Sequence, residues 1–383
     1  MPEQLANCSS EADSASTVVW DMPTRLFHWL FAASFAVAWF TNGKDRLLDV
    51  HVFAGYLFAA LLAFRLFWGF AGGRYARFAS FSFPAKEAWA YFFATLRGRA
   101  RRHLGHNPAG SWAIWVLLVL GTVVSVSGLV TFGAEERHGP FAGLFGFSAG
   151  DVTYQVHEIA AIAMLAIVAL HLAGVGLESW RHRESLVRAM ITGRKTGAGV
   201  SSRRYPAVAA VLVAVVLAAG VAQFQRYARA TPANPYMPFE GPALATNASW
   251  SEECGGCHLA FHPTLLPTRS WDAVFRTQHE HFGDDLALSG DTLDILARFA
   301  RENAAETAPT EAAWKIARSV PALDAPRRIT ETRYWLQKHR EIPEAIWTRV
   351  PVRSKANCAA CHADAERGTF EDAAMRIPES QSF

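Results

Sequence analysis

The pentapeptide Cys254-Gly255-Gly256-Cys257-His258 recurs as Cys358-Ala359-Ala360-Cys361-His362. Two thiols at this spacing can each add across one vinyl group of a haem while the following histidine swings under the ring to ligate the iron, the c-type attachment pattern. Two covalent haems are therefore predicted, one on Cys254 and Cys257 with His258, the other on Cys358 and Cys361 with His362. Paired C-x2-C units also suit zinc, but zinc ribbons bring their halves within roughly 15 to 20 residues of each other. Here the halves are far apart and each is followed by histidine. The fifth cysteine, Cys8, stands in a polar, serine-rich stretch and reads as an incidental thiol, not a lipid attachment point.

A chain of 383 residues has room for two or more domains, and 51% hydrophobic residues is high for a purely soluble protein. Part of it belongs in lipid. A net charge of +3 argues for neither nucleic acid nor an acidic substrate, and no basic stretch interleaved with aromatics marks a nucleic-acid groove. Residues 1–17 lack the charged start and short apolar core of a cleavable export signal and read as a disordered cytoplasmic leader, so export is expected to use a membrane helix.

Apolar stretches near 20 residues predict five spans, at about 26–41, 51–71, 112–132, 153–177 and 207–224. Between the second and third lie Arg74, Arg77, Lys86, Arg97, Arg99, Arg101 and Arg102. Between the fourth and fifth lie Arg181, Arg183, Arg188, Arg194, Lys195, Arg203 and Arg204. Loops so basic stay in the cytoplasm. The loop after span one mixes Lys44 and Arg46 with Asp45 and Asp49, and that after span three carries Glu135, Glu136 and Asp151, so both face outward. An odd number of spans with the N-terminus inside delivers the remainder of the chain to the periplasm of a bacterial inner membrane, where c-type haem is attached. Residues 83–100 read either as an interfacial helix with Trp89, Tyr91, Phe92 and Phe93 partly in lipid, or as a basic loop.

Ionisable residues inside spans are rare and suggest function. His157 and His171 lie 14 residues apart on one helix, a separation of ~21 Å on nearly the same face. With a hydrocarbon core about 30 Å thick, one imidazole would sit a little inside each surface. The topology places His28 at the depth of His171 and His51 at the depth of His157. Each pair could clamp one non-covalent haem b between facing helices of a bundle. Arg65, 14 residues beyond His51, can bind a haem propionate or a quinone head group, or else snorkel to lipid phosphates.

These residues resemble the prokaryotic cytochrome b561 family, related to the b-type subunits of nickel-iron hydrogenases. The opening Trp20-Asp21-Met22-Pro23-Thr24-Arg25-Leu26-Phe27-His28-Trp29 matches its first motif. The resemblance continues through His51, Gly55, Arg65, Trp68, Gly69, Tyr75-Ala76-Arg77-Phe78, Gly105-His106-Asn107-Pro108-Ala109-Gly110 and the two histidines of span four, over about 18–195. It implies a dihaem membrane electron carrier exchanging electrons with quinone. His106 belongs to the motif but falls in a polar loop and is not read as a ligand. Residues from about 240 to 383 are similar to the small dihaem cytochromes c. That resemblance implies bis-histidine ligation, with His281 of His281-Phe282-Gly283-Asp284-Asp285 and His339 as the distal ligands; His279 competes with His281, and Met375 is the weaker rival to His339. Eight of the 14 histidines thus serve four haems, and the other six fall in polar segments.

The predicted fold is all-α: a membrane four-helix haem bundle, a fifth tethering transmembrane helix and a small, mostly helical dihaem cytochrome c domain. Its expected parts are the leader (1–17), a b561-like domain (18–195), a tether and linker (196–240) with Pro232, Pro235 and Pro238, and a periplasmic dihaem domain (241–383) opening at Pro242, with a helix over 291–304. The expected cofactors are two haem b and two haem c, with ubiquinone left open. The expected partners are quinone, membrane lipid and a soluble, cytochrome-like periplasmic carrier, with oligomerisation open and no nucleic acid. Two rivals stand beside electron carriage: superoxide oxidation at the outer haem with the electron passed to ubiquinone, and a haem-based gas sensor, which would need a five-coordinate iron.

Overall fold

A computed structural model describes residues 16–44, 47–229 and 243–378. Cys8, most of the leader, Asp45, Arg46 and the linker prolines Pro232, Pro235, Pro238 and Pro242 lie outside the described residues. The chain forms two compact units.

The first unit comprises Met1–Asn42, Val50–Gly128 and Val152–Ala228. Its first helix, α1 (Met22–Thr41), begins where Asp21 accepts the Thr24 amide at 2.8 Å and Pro23 sits in the first turn, a capped start with a residue that needs no donor. Asp21 is 1% exposed and also accepts the Gly73 amide at 3.1 Å and Trp68 Nε1 at 3.3 Å. One carboxylate therefore ties the start of α1 to the end of α2 (Leu48–Ala71). A short antiparallel pair, β1 (Ser16–Val18) with β2 (Arg194–Thr196), fastens the entry of the unit to its far end.

The aromatic segment forms α3 (Ala85–Leu96). Ala88, Tyr91 and Thr95 are buried while Trp89, Phe92, Phe93 and Leu96 are exposed, so this stretch is an amphipathic helix and not a loop. The long helices α4 (Pro108–Glu135) and α5 (Phe147–His182) follow, then the short α6 (Leu186–Thr192) and α7 (Pro206–Ala228). At 36 residues α5 is about 54 Å long and outreaches a hydrocarbon core of about 30 Å.

Among the described residues four helices are long and apolar enough to cross a membrane, α2, α4, α5 and α7. Their outward faces carry residues such as Val119, Ile159, Leu172 and Val215, each more than half exposed. Such surfaces are stable in lipid, where the helix already satisfies its own backbone. The chain is a multi-pass membrane protein. The segment expected as span one is a 20-residue helix that falls short of the others in hydropathy, because Arg25, His28 and Ser34 interrupt its apolar residues. It packs against α7.

The second unit comprises Gly43–Asp49, Leu129–Asp151 and Arg229–Phe383. Its helices are short: α8 (Ala248–Gly255), α9 (Thr268–Arg276), α10 (Gly290–Glu302), α11 (Glu311–Ser319), α12 (Arg333–Lys338) and α13 (Glu344–Thr348). The main core gathers Trp250, Leu266, Trp271, Phe275, Leu296 and Phe299, and Leu265, Ala305 and Ile316 form a second cluster. Within this unit Lys315 on α11 reaches Asp151 at 2.5 Å and Glu135 at 3.4 Å, and Trp314 Nε1 donates to Asp151 at 3.0 Å.

Candidate haem sites

Eight histidines meet as four pairs. In the first unit the imidazole centres of His28 (α1) and His171 (α5) are 6.4 Å apart, and those of His51 (α2) and His157 (α5) 6.2 Å. In the second unit His258 faces His281 at 6.4 Å and His339 faces His362 at 6.2 Å. A metal bonded to one nitrogen of each ring at about 2 Å places the two ring centres about 6.2 Å apart. All four pairs have room for one iron between them, so the donor chemistry fits haem at each.

Hydrogen bonding selects the nitrogen that would face the metal. His51 Nδ1 donates to Ala38 O and His157 Nδ1 to Val124 O, both at 2.9 Å. A carbonyl can only accept, so the proton is on Nδ1 and Nε2 is left with its lone pair. His258 Nδ1 does the same to Leu259 O at 2.7 Å and His339 Nδ1 to Trp335 O at 2.8 Å. The Trp335 ring also lies nearly parallel to His339, with centres 4.3 Å apart. His28 Nδ1 and His362 Nδ1 are buried without a hydrogen-bond partner among the described residues. Burial holds His281, His339 and His362 below the ordinary histidine value, which keeps them in the neutral, metal-binding form.

Close packing orients the His157 ring. A Cβ on Gly128 would lie 2.9 Å from His157 Cε1, so α4 carries glycine where the imidazole crosses it.

The competing ligands are occupied elsewhere. His279 is exposed and paired with Asp285 at 3.2 Å, and His281, held in a backbone bridge with Asp284, is the ring brought to His258. His262 uses Nδ1 on Thr264 and Nε2 on Ala245 O. Cys254, Cys257, Cys358 and Cys361 stand beside their motif histidines as unbridged thiols.

Arg65 is 4% exposed, with its guanidinium 5.0 Å from the centre of the Phe78 ring and 5.7 Å from that of Phe81. Gly69 lets Phe78 approach; a Cβ there would fall 2.1 Å from the ring. His106 lies in the loop before α4, as the sequence suggests, but its ring packs near Trp20 and Phe81, with centres 4.6 and 4.5 Å away, and its Nδ1 is buried. Burial, with Arg65 and Lys195 nearby, pushes it down to about 3, so it is neutral. The only sequence signal for this placement was its position inside the Gly105–Gly110 motif.

A helical membrane unit with opposed, half-buried imidazoles between its helices, joined to a unit with two c-type motifs, defines a membrane-bound electron-transfer cytochrome. The comparisons sharpen this. Residues 19–193 match the family model of prokaryotic cytochrome b561, and residues 250–370 that of dihaem cytochrome c. Probable Ni/Fe-hydrogenase B-type cytochrome subunits are similar to the first part. That of Azotobacter chroococcum mcd 1 is 27% identical over 208 residues, covering 46% of this chain and 86% of the relative. That of Rhodobacter capsulatus is 25% identical over 215 residues, covering 47% and 82%. A diheme cytochrome c from Rhodobacter sphaeroides is 34% identical, covering 34% of this chain and 100% of its own, with a TM-score of 0.30. One from Shewanella baltica OS155 is 30% identical, covering 35% and 95%, with a TM-score of 0.29. The membrane part is thus similar to prokaryotic cytochrome b561 and the distal part to dihaem cytochrome c, and haem b and haem c are the cofactors these families imply.

Proposed function

We propose that the protein carries electrons between the membrane quinone pool and a soluble periplasmic redox partner, using two haem b and two haem c. Four imidazole pairs with ring centres 6.2 to 6.4 Å apart carry this reading. His28 with His171 and His51 with His157 would hold the haem b groups. His258 with His281 and His362 with His339 would ligate the haem c groups, with Cys254, Cys257, Cys358 and Cys361 forming the thioethers. Each haem, when bound, supplies one-electron redox chemistry.

The chain's own part is to fix the ligands and exclude competitors. Two protein ligands per iron leave no open position, which favours carriage over gas sensing. The basic loops 72–107 and 183–205 support a cytoplasmic N-terminus and a bacterial inner-membrane location with the dihaem part in the periplasm. In that orientation His28 and His171 form the inner tier and His51 and His157 the outer.

Quinol-driven reduction in membranes tests donor and order together. The b bands are expected to reduce first and the c bands next; failure of quinol to reduce either would remove the quinone from the account. A pyridine haemochrome assay should find b and c haem in equal amounts, and a ratio far from parity would refute the count of four.

A further inference from the structure

Arg65 is a buried cation that forms no ion pair among the described residues. The nearest carboxylate acting on it through space is Asp21, whose oxygens are already taken by the Thr24 and Gly73 amides and Trp68 Nε1. Its Nη1 has no hydrogen-bond partner, and neither has His106 Nδ1. The two residues approach one ring: Phe81, itself 0% exposed, has the Arg65 guanidinium 5.7 Å and the His106 ring centre 4.5 Å from its own ring centre. His171 is among the neighbours that disfavour protonation of His106, after burial, Arg65 and Lys195. The other pair, His51 with His157, has both Nδ1 atoms satisfied by carbonyls, and no buried arginine is described beside it.

The geometry points to a two-donor oxyanion site formed by Arg65 Nη1 and His106 Nδ1, whose ligand is a carboxylate, a propionate of the haem held by His28 and His171. This rests on the haem placement proposed above. A buried guanidinium without a counter-ion is strongly disfavoured, and a fully charged carboxylate offsets it better than the neutral carbonyl of a quinone. Neutral His106 adds a donor, in the tautomer protonated on Nδ1, without a second charge.

The test is a redox titration of the full-length protein in detergent, resolving the two b components at several pH values, for Arg65→Met, Arg65→Lys, His106→Phe and His106→Gln. Arg65→Met should lower the midpoint of the His28–His171 component, because a cation favours the less positive reduced iron. It should also make that midpoint pH-dependent near neutrality, because the propionate loses its counter-ion. The other b component stays unchanged. His106→Phe, which keeps an aromatic ring against Trp20 and Phe81, should shift the same component by less, and Arg65→Lys and His106→Gln should restore most of each shift. The site is overturned if Arg65→Met and His106→Phe leave both b midpoints and their pH profiles unaltered, or shift both equally. Unaltered midpoints with slower reduction by a short-chain ubiquinol would assign the donors to quinone and likewise overturn it. If Arg65→Met does not assemble, Arg65→Lys and His106→Phe decide. The haem placement is checked separately: His28→Ala and His171→Ala must each remove this b component, and if neither does, the underlying reading fails regardless of Arg65.

Discussion

The two units build paired histidines by opposite means. In the dihaem unit the partners run from 258 to 281 and from 339 to 362, 23 residues in each case, and thiols stand beside one member of every pair. In the membrane unit they run from 28 to 171 and from 51 to 157, across separate helices, with no cysteine beside any member. A locally folded site with a covalent cofactor can lose a ligand and keep its haem. A site assembled only by helix packing cannot, because ligands and shape are all that hold the group.

The sharpest break of that comparison is ligand deletion. His157→Ala and His171→Ala should each abolish about half of the b-type absorbance, and a different half, with c-type haem untouched. His281→Ala or His339→Ala should leave c haem at full stoichiometry but open one iron to carbon monoxide, read in the reduced spectrum. Loss of c haem from the latter variants, or of the same b haem from the former, would erase the distinction.

Packing comes next. Gly128→Leu pushes a side chain into the His157 ring; it should deplete the His51–His157 haem selectively and cost about 1–3 kcal/mol, measured as b-haem retention on heating. Asp21→Ala removes a helix cap and leaves the Gly73 amide unpaired, a loss of about 1–3 kcal/mol that should lower the melting of the membrane unit and leave the c-haem signal unmoved.

The mildest probe is pH. In the dihaem unit burial, with Asp372 and Glu135 next, raises Glu311 to about 8, and burial, with Glu311 next, raises Glu371 to about 9, from an ordinary value of 4.5. Carboxyls raised on folding favour the protonated, folded form, so their stabilisation is complete below 4.5 and is lost as pH climbs toward 8 to 9. The thermal midpoint of the c-haem signal should fall over that range, and Glu371→Gln should flatten the slope. A midpoint that rises with pH would contradict this environment.

Much of the architecture was legible because it follows from local rules. The C-x2-C-H repeats, the apolar runs of α2, α4, α5 and α7, and the 14-residue spacing of His157 and His171 are each visible within one segment. The expected helix over 291–304 is α10 (Gly290–Glu302). The aromatic stretch after Phe83, ambiguous in sequence, resolves into α3 because Tyr91 and Thr95 donate hydrogen bonds to Glu178, a residue far along the chain. His106 was the plainest miss: a polar neighbourhood in sequence says nothing about the Trp20 and Phe81 rings that enclose it.

Sequence alone determined that this chain handles haem, crosses a membrane several times and carries two kinds of haem site, since attachment chemistry and hydrophobic length are properties of short segments. Topology and resemblance had already suggested the imidazole pairs; only the tertiary structure brought their ring centres to 6.2 to 6.4 Å, turned His281 and not His279 toward His258, and set Arg65 and His106 against one buried ring. Those outcomes depend on side chains from distant segments arriving within a few ångströms, and burial and close packing, not local pattern, set such distances.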